Sequence, residues 1–532
     1  MNEEKYIVIG GAWPYANSLL HLGHVAGLIS GDILARYFRS KGYQVAFVSG
    51  SDCHGTPITQ RAKKEGKSPK EIAEYYDGKA REMLEAMEFS YDLYTNTDTD
   101  FHKQECMKIF QQIYENEYIY EKLEPQAYCE KCGKFLSDRD VQIICPACGT
   151  ETKADQCDGC GRVPNVEDLK GGTCLICGTK TVERDNKNLY FALSKFQKEI
   201  EEHTKEVNHD WRINAKNETA KYLKEGLLDR AVTRDLDWGV DIPLPNYEDK
   251  KMYVWIEAVL GYITATKKWC EGNGLNWEDF WKKSDHNKVY MVHGKDNIVF
   301  HSIILNGLLL AMKDNYRLVD TIVSSEYLNV NDEKISKSKG NGTPALELAK
   351  EYNADSLRFH LINNGPEKKD SNFTIDNYIT THNNEILNKF GNLVNRTLKF
   401  KGLETLPQGK MNAEMEQKTK EAYEKVGQAI EKIEFKEATD LVMDLVEAAN
   451  KFYDTEEPWK QKKEDEEGFA NTIYTCTNMI ANLANLFEPF MPASSKKLRE
   501  YLHLPENKWE YVTVTDLEAI ELTKIEPLFT RI

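Results

Sequence analysis

Apolar and polar positions alternate at two different periods along the chain. Residues 5–10 show the pattern of a strand buried on both faces, with an apolar run at 6–9, and residues 44–48 show another, with its run at 45–48. Between them, residues 11–18 are rich in turn formers. Residues 21–41 carry Leu28, Ile29, Ile33, Leu34, Tyr37 and Phe38 at helical spacing. This order predicts a βαβ unit, with its loops at the carboxyl ends of the strands, so residues 1–118 read as the first half of a Rossmann-type domain. Residues 119–230 break the pattern with cysteine pairs among Gly, Asp and Lys, which predicts an insertion. Residues 231–325 return to α/β character, with strands expected at 252–256 and 289–292. Residues 326–385 hold a lysine-rich loop. From 386 to 532 the spacing of Val426, Ile430, Ile433, Leu441, Leu445, Ala448 and Phe452 predicts a helical bundle. The charged run 460–467 reads as a solvated loop or helix face.

Composition narrows the class. With 532 residues there is length for several domains, and 41% apolar with 29% charged residues excludes a disordered or collagen-like chain. The net charge of −17 argues against a generic DNA-coating protein but leaves room for RNA bound at a local basic patch. The most apolar run, 303–312, is interrupted by Asn306 and Gly307, so no membrane helix is expected. The N-terminus lacks the pattern of a secretory signal, which predicts a cytoplasmic protein.

Eight of the twelve cysteines fall in four Cys-x-x-Cys pairs: Cys129/Cys132, Cys145/Cys148, Cys157/Cys160 and Cys174/Cys177. In a reducing compartment such clustering reads as metal binding, and eight thiolates suit two tetrahedral structural zinc sites. Cys53, Cys106, Cys270 and Cys476 are scattered.

Two motifs carry further chemistry. His21-Leu22-Gly23-His24 stands where the first loop enters its helix. Histidines three apart share a helix face, and the free N–H groups of a helix start suit phosphate oxygens. Gly23, without Cβ, lets a flat base approach the backbone. Some 310 residues later, Lys334-Ile335-Ser336-Lys337-Ser338-Lys339 can form a cationic loop that closes over a polyphosphate.

In this order the motifs resemble the HIGH and KMSKS signatures of class I aminoacyl-tRNA synthetases. The chain is similar more narrowly to the methionyl-tRNA synthetase family. The segments carrying that likeness are Pro14-Tyr15-Ala16-Asn17, Asp52 with His54-Gly55-Thr56-Pro57-Ile58, Tyr253-Val254-Trp255-Ile256-Glu257-Ala258, Gly294-Lys295-Asp296 with Phe300-His301-Ser302, Ala354-Asp355-Ser356-Leu357-Arg358 and Glu457-Pro458-Trp459. The resemblance implies an α/β fold: a split Rossmann-type catalytic domain with a zinc-binding insertion, followed by a C-terminal α-helical bundle that binds the anticodon. It implies that methionine and ATP give methionyl-adenylate and pyrophosphate, and that the methionyl group then passes to the 3′ end of methionine tRNA. Magnesium would travel with ATP.

The same resemblance implies residue roles. His21, His24, Lys334 and Lys337 would be catalytic. His21, Gly23, His24, Gly294, Asp296 and Lys337 would bind ATP. Asp52 would take the methionine ammonium, within a pocket of Ala12, Trp13, Tyr15, Trp255, Ala258, Tyr262 and His301, whose rings suit a polarizable thioether. Asn392, Arg396 and Trp459 would read the anticodon. Trp13 (often leucine in relatives), Val259 and Asn297 depart from the family pattern; they bear on the pocket's shape and leave the ammonium and phosphate contacts in place. The four cysteine pairs could join sequentially or in a nested order, or the middle pairs alone could hold one zinc. No oligomer-forming module follows Ile532, so a monomer is expected. The rivals are a catalytically silent tRNA-binding paralogue and a sister synthetase for another apolar amino acid; the short insertion disfavours the latter.

Overall fold

The structure is a computed structural model that describes residues 5–136, 140–154, 157, 159, 171–334 and 344–532. Five parallel strands form the central sheet: β1 (Tyr6–Gly11), β2 (Gln44–Ser51), β3 (Leu93–Asn96), β4 (Asn287–Gly294) and β5 (Thr321–Ser325), in the order β5-β4-β1-β2-β3. Alternation along each strand feeds two cores. Ile7, Ile9, Val45, Phe47, Tyr290 and Val292 point to one side, against Ile29, Ile33, Leu34 and Phe38 of helix α1 (Leu22–Ser40). Val8, Ala46, Val48, Val289 and Met291 point to the other, against Ile109 and Phe110 and against Leu260 and Ile263 of helix α2 (Val254–Asn273). A sheet covered on both faces explains why its strands read as unbroken apolar runs.

The strand expected at 252–256 is corrected. Only Lys251–Met252 is extended, and Val254 opens α2. This helix buries Val254, Ile256, Glu257, Val259 and Leu260 on most of its circumference, so its sequence imitates a buried strand.

The insertion leaves the sheet on strand Ile119–Cys129, which pairs antiparallel with Val182–Phe191 from Ile119↔Phe191 to Tyr128↔Val182. Helices Gln197–Val207 and Ile213–Glu225 fall within the stretch 119–230, yet Ile200, Trp211 and Ala215 pack into the same core as β4 and α2. The ladder begins in this core through Ile119, Leu189 and Phe191, and its outer end carries a separate cluster around Ala127, Cys129, Val141 and Cys174.

The C-terminal bundle is not a separate ball. Tyr37 and Phe38 of α1 share one core with Phe390, Leu393, Val426, Ile430, Val446 and Ile480. Its first helical stretch runs without a break from Ile375 to Leu398, with a π-helical section at His382–Gly391, so the expected boundary at 385/386 lies inside it. Buried Arg358 joins the units. It donates to Asp32 of α1 at 2.6 Å and to the carbonyls of Met87, Pro489 and Phe490. Burial alone would raise the Asp32 pKa, but Arg36 and Arg358 outweigh it and hold the carboxyl well below the usual range. The final segment crosses back, with the Trp509 N–H donating to the Ser40 carbonyl at 2.9 Å and its indole to Tyr423. Among the described residues, no helix is long and apolar enough to cross a membrane.

Candidate active site

The sheet order reverses between β1 and β4, and ligands of open α/β sheets bind outside the carboxyl ends at such a point. β1 ends at Gly11 and β4 at Gly294, with α1 starting above them. A Cβ built on Gly27 of α1 would lie 3.8 Å from the Gly294 nitrogen, so helix and strand end meet closely there.

His21 is the N-cap of α1. Its Nδ1 accepts from the Gly23 N–H at 3.1 Å, and Nδ1 of His24 accepts from the His21 N–H at 3.1 Å. The two rings lie 3.9 Å apart. A backbone N–H can only donate, so each Nδ1 must offer a lone pair and each neutral ring carries its proton on Nε2. The motif thus builds its own capping box and fixes the tautomer of both histidines. The segment 335–343, with Lys337, lies outside the described residues. Its ends do not: Lys334 pairs with Asn329, Pro344 bridges His21, and the Ala345 N–H donates to the Leu20 carbonyl. The lysine loop therefore returns to the chain beside the histidines. Asp296 accepts from the Tyr327 hydroxyl, and Lys295 pairs with Glu326 at 2.6 Å and with Asp370 at 2.9 Å.

Deeper in the crevice, the loop after β1 and the end of β2 are stitched together. The Asp52 N–H donates to Pro14, and Ala16 donates back to Asp52. Asp52 is buried, and its Oδ1 accepts from the His54 N–H at 3.2 Å. Trp13 is wedged between β2 and α2; a Cβ on Gly50 would collide with the indole, and one on Gly261 would lie 2.6 Å from it. The large ring at position 13 is matched by two neighbours that have no side chain. Trp255 donates through Nε1 to the Tyr15 hydroxyl and stands edge-on to Phe300. The Tyr262 hydroxyl bonds His301 Nε2 at 2.8 Å, while His301 Nδ1 meets the Asn297 carbonyl at 2.8 Å. Nδ1 therefore carries the proton and Nε2 accepts from the phenol. Burial pushes His301 down to about 4, so the ring is neutral. His293 stacks on it at 4.3 Å. Ala12 joins the same loop through its N–H to the Val292 carbonyl, and half-buried Ala258 lies on α2 between Trp255 and Tyr262.

In the insertion, Cys129, Cys132, Cys174 and Cys177 bring their sulfurs within 4.8 Å of one another, and Cys145, Cys148 and Cys157 form a second group; Cys160 lies outside the described residues. The Cys129–Cys177 and Cys132–Cys174 sulfur separations are 3.4 and 3.9 Å. Tetrahedral Zn–S bonds of about 2.3 Å imply sulfurs about 3.8 Å apart, so the outer group fits a metal ion. The first pair joins the fourth because the ladder is antiparallel: Tyr128 faces Val182, so Cys129 and Cys132 at the end of one strand meet Cys174 and Cys177 shortly before the other begins. Sequential joining, the simplest expectation, is therefore corrected to the nested order.

On the bundle, Asn392 and Arg396 lie on one helix, Asn392 exposed. Arg396 lies 4.2 Å over the Tyr453 ring and donates to Asp454 at 2.6 Å and to the Asn450 carbonyl. Trp459 is 45% exposed, and its ring is 6.3 Å from Tyr453. Tyr453, Asp454 and Asn450 were not anticipated. No local motif marks them, and only helix packing brings them to Arg396.

Residues 7–398 match the family model of class I tRNA synthetases (M), and residues 404–531 match the anticodon binding domain of methionyl tRNA ligase. The chain belongs to the methionyl-tRNA synthetase family. It is 45% identical to Methionine–tRNA ligase 1 of Alkaliphilus oremlandii, over 99% of this chain and 97% of that protein. It is 46% identical to the Methionine–tRNA ligase of Bacillus mycoides, over 99% and 96%. The fold is that of the Mycobacterium tuberculosis methionyl-tRNA synthetase solved with methionyl-adenylate, with a TM-score of 0.81 over 99% of this chain and all of that one at 23% identity. Within the family frame, the resemblance inferred from the two signatures is borne out, as is the expected α/β catalytic domain with a C-terminal helical domain.

Proposed function

We propose that this chain is a methionine–tRNA ligase, which activates L-methionine with ATP to methionyl-adenylate and transfers the methionyl group to the 3′ end of methionine tRNA, initiator and elongator alike. The observation that carries the reading is the pair of reciprocally capped histidines at the switch-point crevice, with Trp13 edge-on to Tyr262 and Trp255 bonded to Tyr15 on the neighbouring loop and helix.

The methionine carboxylate is already ionised at neutral pH, so its attack on the α-phosphate needs no general base. That suits His21 and His24, whose Nδ1 atoms are committed to backbone N–H groups and whose Nε2–H groups are donors. They would donate to phosphate oxygens on which charge develops, at the positive end of α1. Lys334 and Lys337 would close on the departing pyrophosphate. Gly294 and Asp296 would bind the nucleoside side together with Gly23, and magnesium would arrive with ATP. Asp52 would hold the ammonium, and Ala12, Trp13, Tyr15, Trp255, Ala258, Tyr262 and His301 would enclose the side chain. Zinc fits the thiolate groups: Cys129, Cys132, Cys174 and Cys177 would hold one ion, and Cys145, Cys148, Cys157 and Cys160 a second, each cross-linking the insertion. The protein would work as a cytoplasmic monomer.

ATP–pyrophosphate exchange screened over all amino acids tests the reading. Exchange with methionine is expected. Exchange with another amino acid alone would identify a sister synthetase, and none at all a silent paralogue.

Asn392, Arg396 and Trp459 would read the anticodon. Trp459→Ala removes a stacking surface for a base, with an expected loss of about 1–3 kcal/mol in kcat/KM for tRNA charging. Arg396→Ala should act in the same direction through lost charge-assisted contacts. Pyrophosphate exchange without tRNA should stay at the wild-type rate in both. Normal charging by Trp459→Ala, or loss of exchange in parallel, would return Trp459 to a packing role.

A further inference from the structure

The loop after β2 and the first turn of α2 are joined by buried charges that the adenylation chemistry does not use. His54 is 1% exposed and Glu257 is fully buried. Nδ1 of His54 lies 2.9 and 3.0 Å from the two Glu257 oxygens, and Nε2 lies 3.3 Å from Asp98, which Lys103 pairs at 2.5 Å. Each ring nitrogen faces a carboxylate. A neutral imidazole would set a bare lone pair against one of them, so the geometry calls for the doubly protonated ring. His54 and Lys103 then match Glu257 and Asp98 in charge. The remaining neighbours are Asp52, whose Oδ1 accepts from the His54 N–H, and His102, whose Nε2 is 3.9 Å from Glu257. His102 bonds Thr264 through Nδ1 and touches Cys106, and burial together with the charges of His54 and Lys103 pushes it down to about 3, so it stays neutral.

Glu257 sits on α2 between Trp255 and Ala258, and His54 follows Asp52 by two positions in the loop after β2. We propose that His54, through its ion pair with Glu257, is a positioning residue for methionine: it sets the Asp52 carboxylate at a defined place relative to the Trp255–Tyr262 wall, so that ammonium and thioether engage together. This rests on the reading of Asp52 as the ammonium site. Neither His54 nor Glu257 touches substrate; they act through Asp52 and α2. Burial would lower the His54 pKa, but Glu257, Asp98 and Asp52 outweigh it and raise it to about 9; burial also pushes the Glu257 carboxyl up, against the pull of His54, and the placement of a carboxylate at each ring nitrogen favours the charged pair. The linkage therefore opens as pH rises past that value, and at the acid end when Glu257 takes up a proton.

The test is methionine-dependent pyrophosphate exchange by the full chain, with KM for methionine and for ATP and kcat measured from pH 6 to 8.5, after thermal unfolding has shown each variant to be folded. His54→Asn should raise KM for methionine roughly tenfold, the size of one charge-assisted hydrogen bond, with kcat and KM for ATP close to wild type. Glu257→Gln keeps the shape and removes the charge. Without it the His54 pKa should fall into the neutral range. KM for methionine should then be near wild type at pH 6 and rise toward pH 8.5, while the wild-type value stays flat. Packing damage alone would raise KM equally at every pH, or lower kcat, and either result overturns the proposal, as does an unchanged KM. If His54→Asn does not fold, the pH profile of Glu257→Gln decides. Asp52→Asn separates the two levels. If it binds methionine normally, the ammonium reading itself fails; if it loses binding while Glu257→Gln is unaffected, only the positioning role of His54 fails.

Discussion

Lys337→Ala is expected to slow methionyl-adenylate formation by about two to three powers of ten, with methionine binding nearly unchanged. The reasoning is differential. Charge on the departing pyrophosphate is greater in the transition state than in bound ATP, so a cation that closes on it lowers the barrier more than it tightens the ground state. Removing one preorganised donor of this kind costs about 2.7–4 kcal/mol. The first described residues after the motif lie next to the two histidines, where Pro344 bridges His21 and the Ala345 N–H is tied to Leu20. Single-turnover adenylate formation separates this from substrate binding, because a loss confined to KM for ATP would mean uniform binding only. An unchanged activation rate would falsify the role assigned to Lys337.

Metal content should respond to paired cysteine changes in a way that only the nested order allows. The double variant Cys129→Ser/Cys177→Ser is expected to lose one of two zinc ions, because both sulfurs belong to the outer group. Under sequential joining, the same two changes would break both sites and strip all the zinc. Structural zinc contributes about 10–16 kcal/mol in small peptides, so the outer end of the ladder should open to proteolysis in this variant. Exchange activity should persist, since the five-stranded sheet and α1 have their own cores apart from the cluster around Ala127, Cys129, Val141 and Cys174. Elemental analysis that finds no zinc in freshly purified wild-type protein would remove the metal from both groups.

Several features were legible in the sequence because they depend on short-range properties. The strands at 6–11 and 44–51 announce themselves by the apolar runs Tyr6–Ile9 and Val45–Val48, and α1 by its period. The histidines of His21-Leu22-Gly23-His24 cap their own helix, so their orientation is set by three neighbouring residues. Cysteine spacing marked the metal-binding class before any pairing was visible. The sequence by itself thus determined the types of β1, α1 and β2, the chemistry of the two signature motifs and the family.

What joins what was decided by tertiary structure. The partner of Cys129 depends on an antiparallel return some fifty residues later, which no local pattern encodes. The segment beginning at Val254 is a helix that reads as a strand because it is buried on most sides, and burial of that kind erases the polar face by which a helix is recognised. Helices 197–225 belong to the catalytic core because their apolar residues found β4 and α2, not because of their position in an insertion. His54 became visible as a charged residue, and Arg396 as a paired one, only when helices distant in sequence brought Glu257 and Asp454 to them. Period, capping and ligand type are properties of a few adjacent residues; pairing, burial and the state of a buried charge belong to the assembled chain.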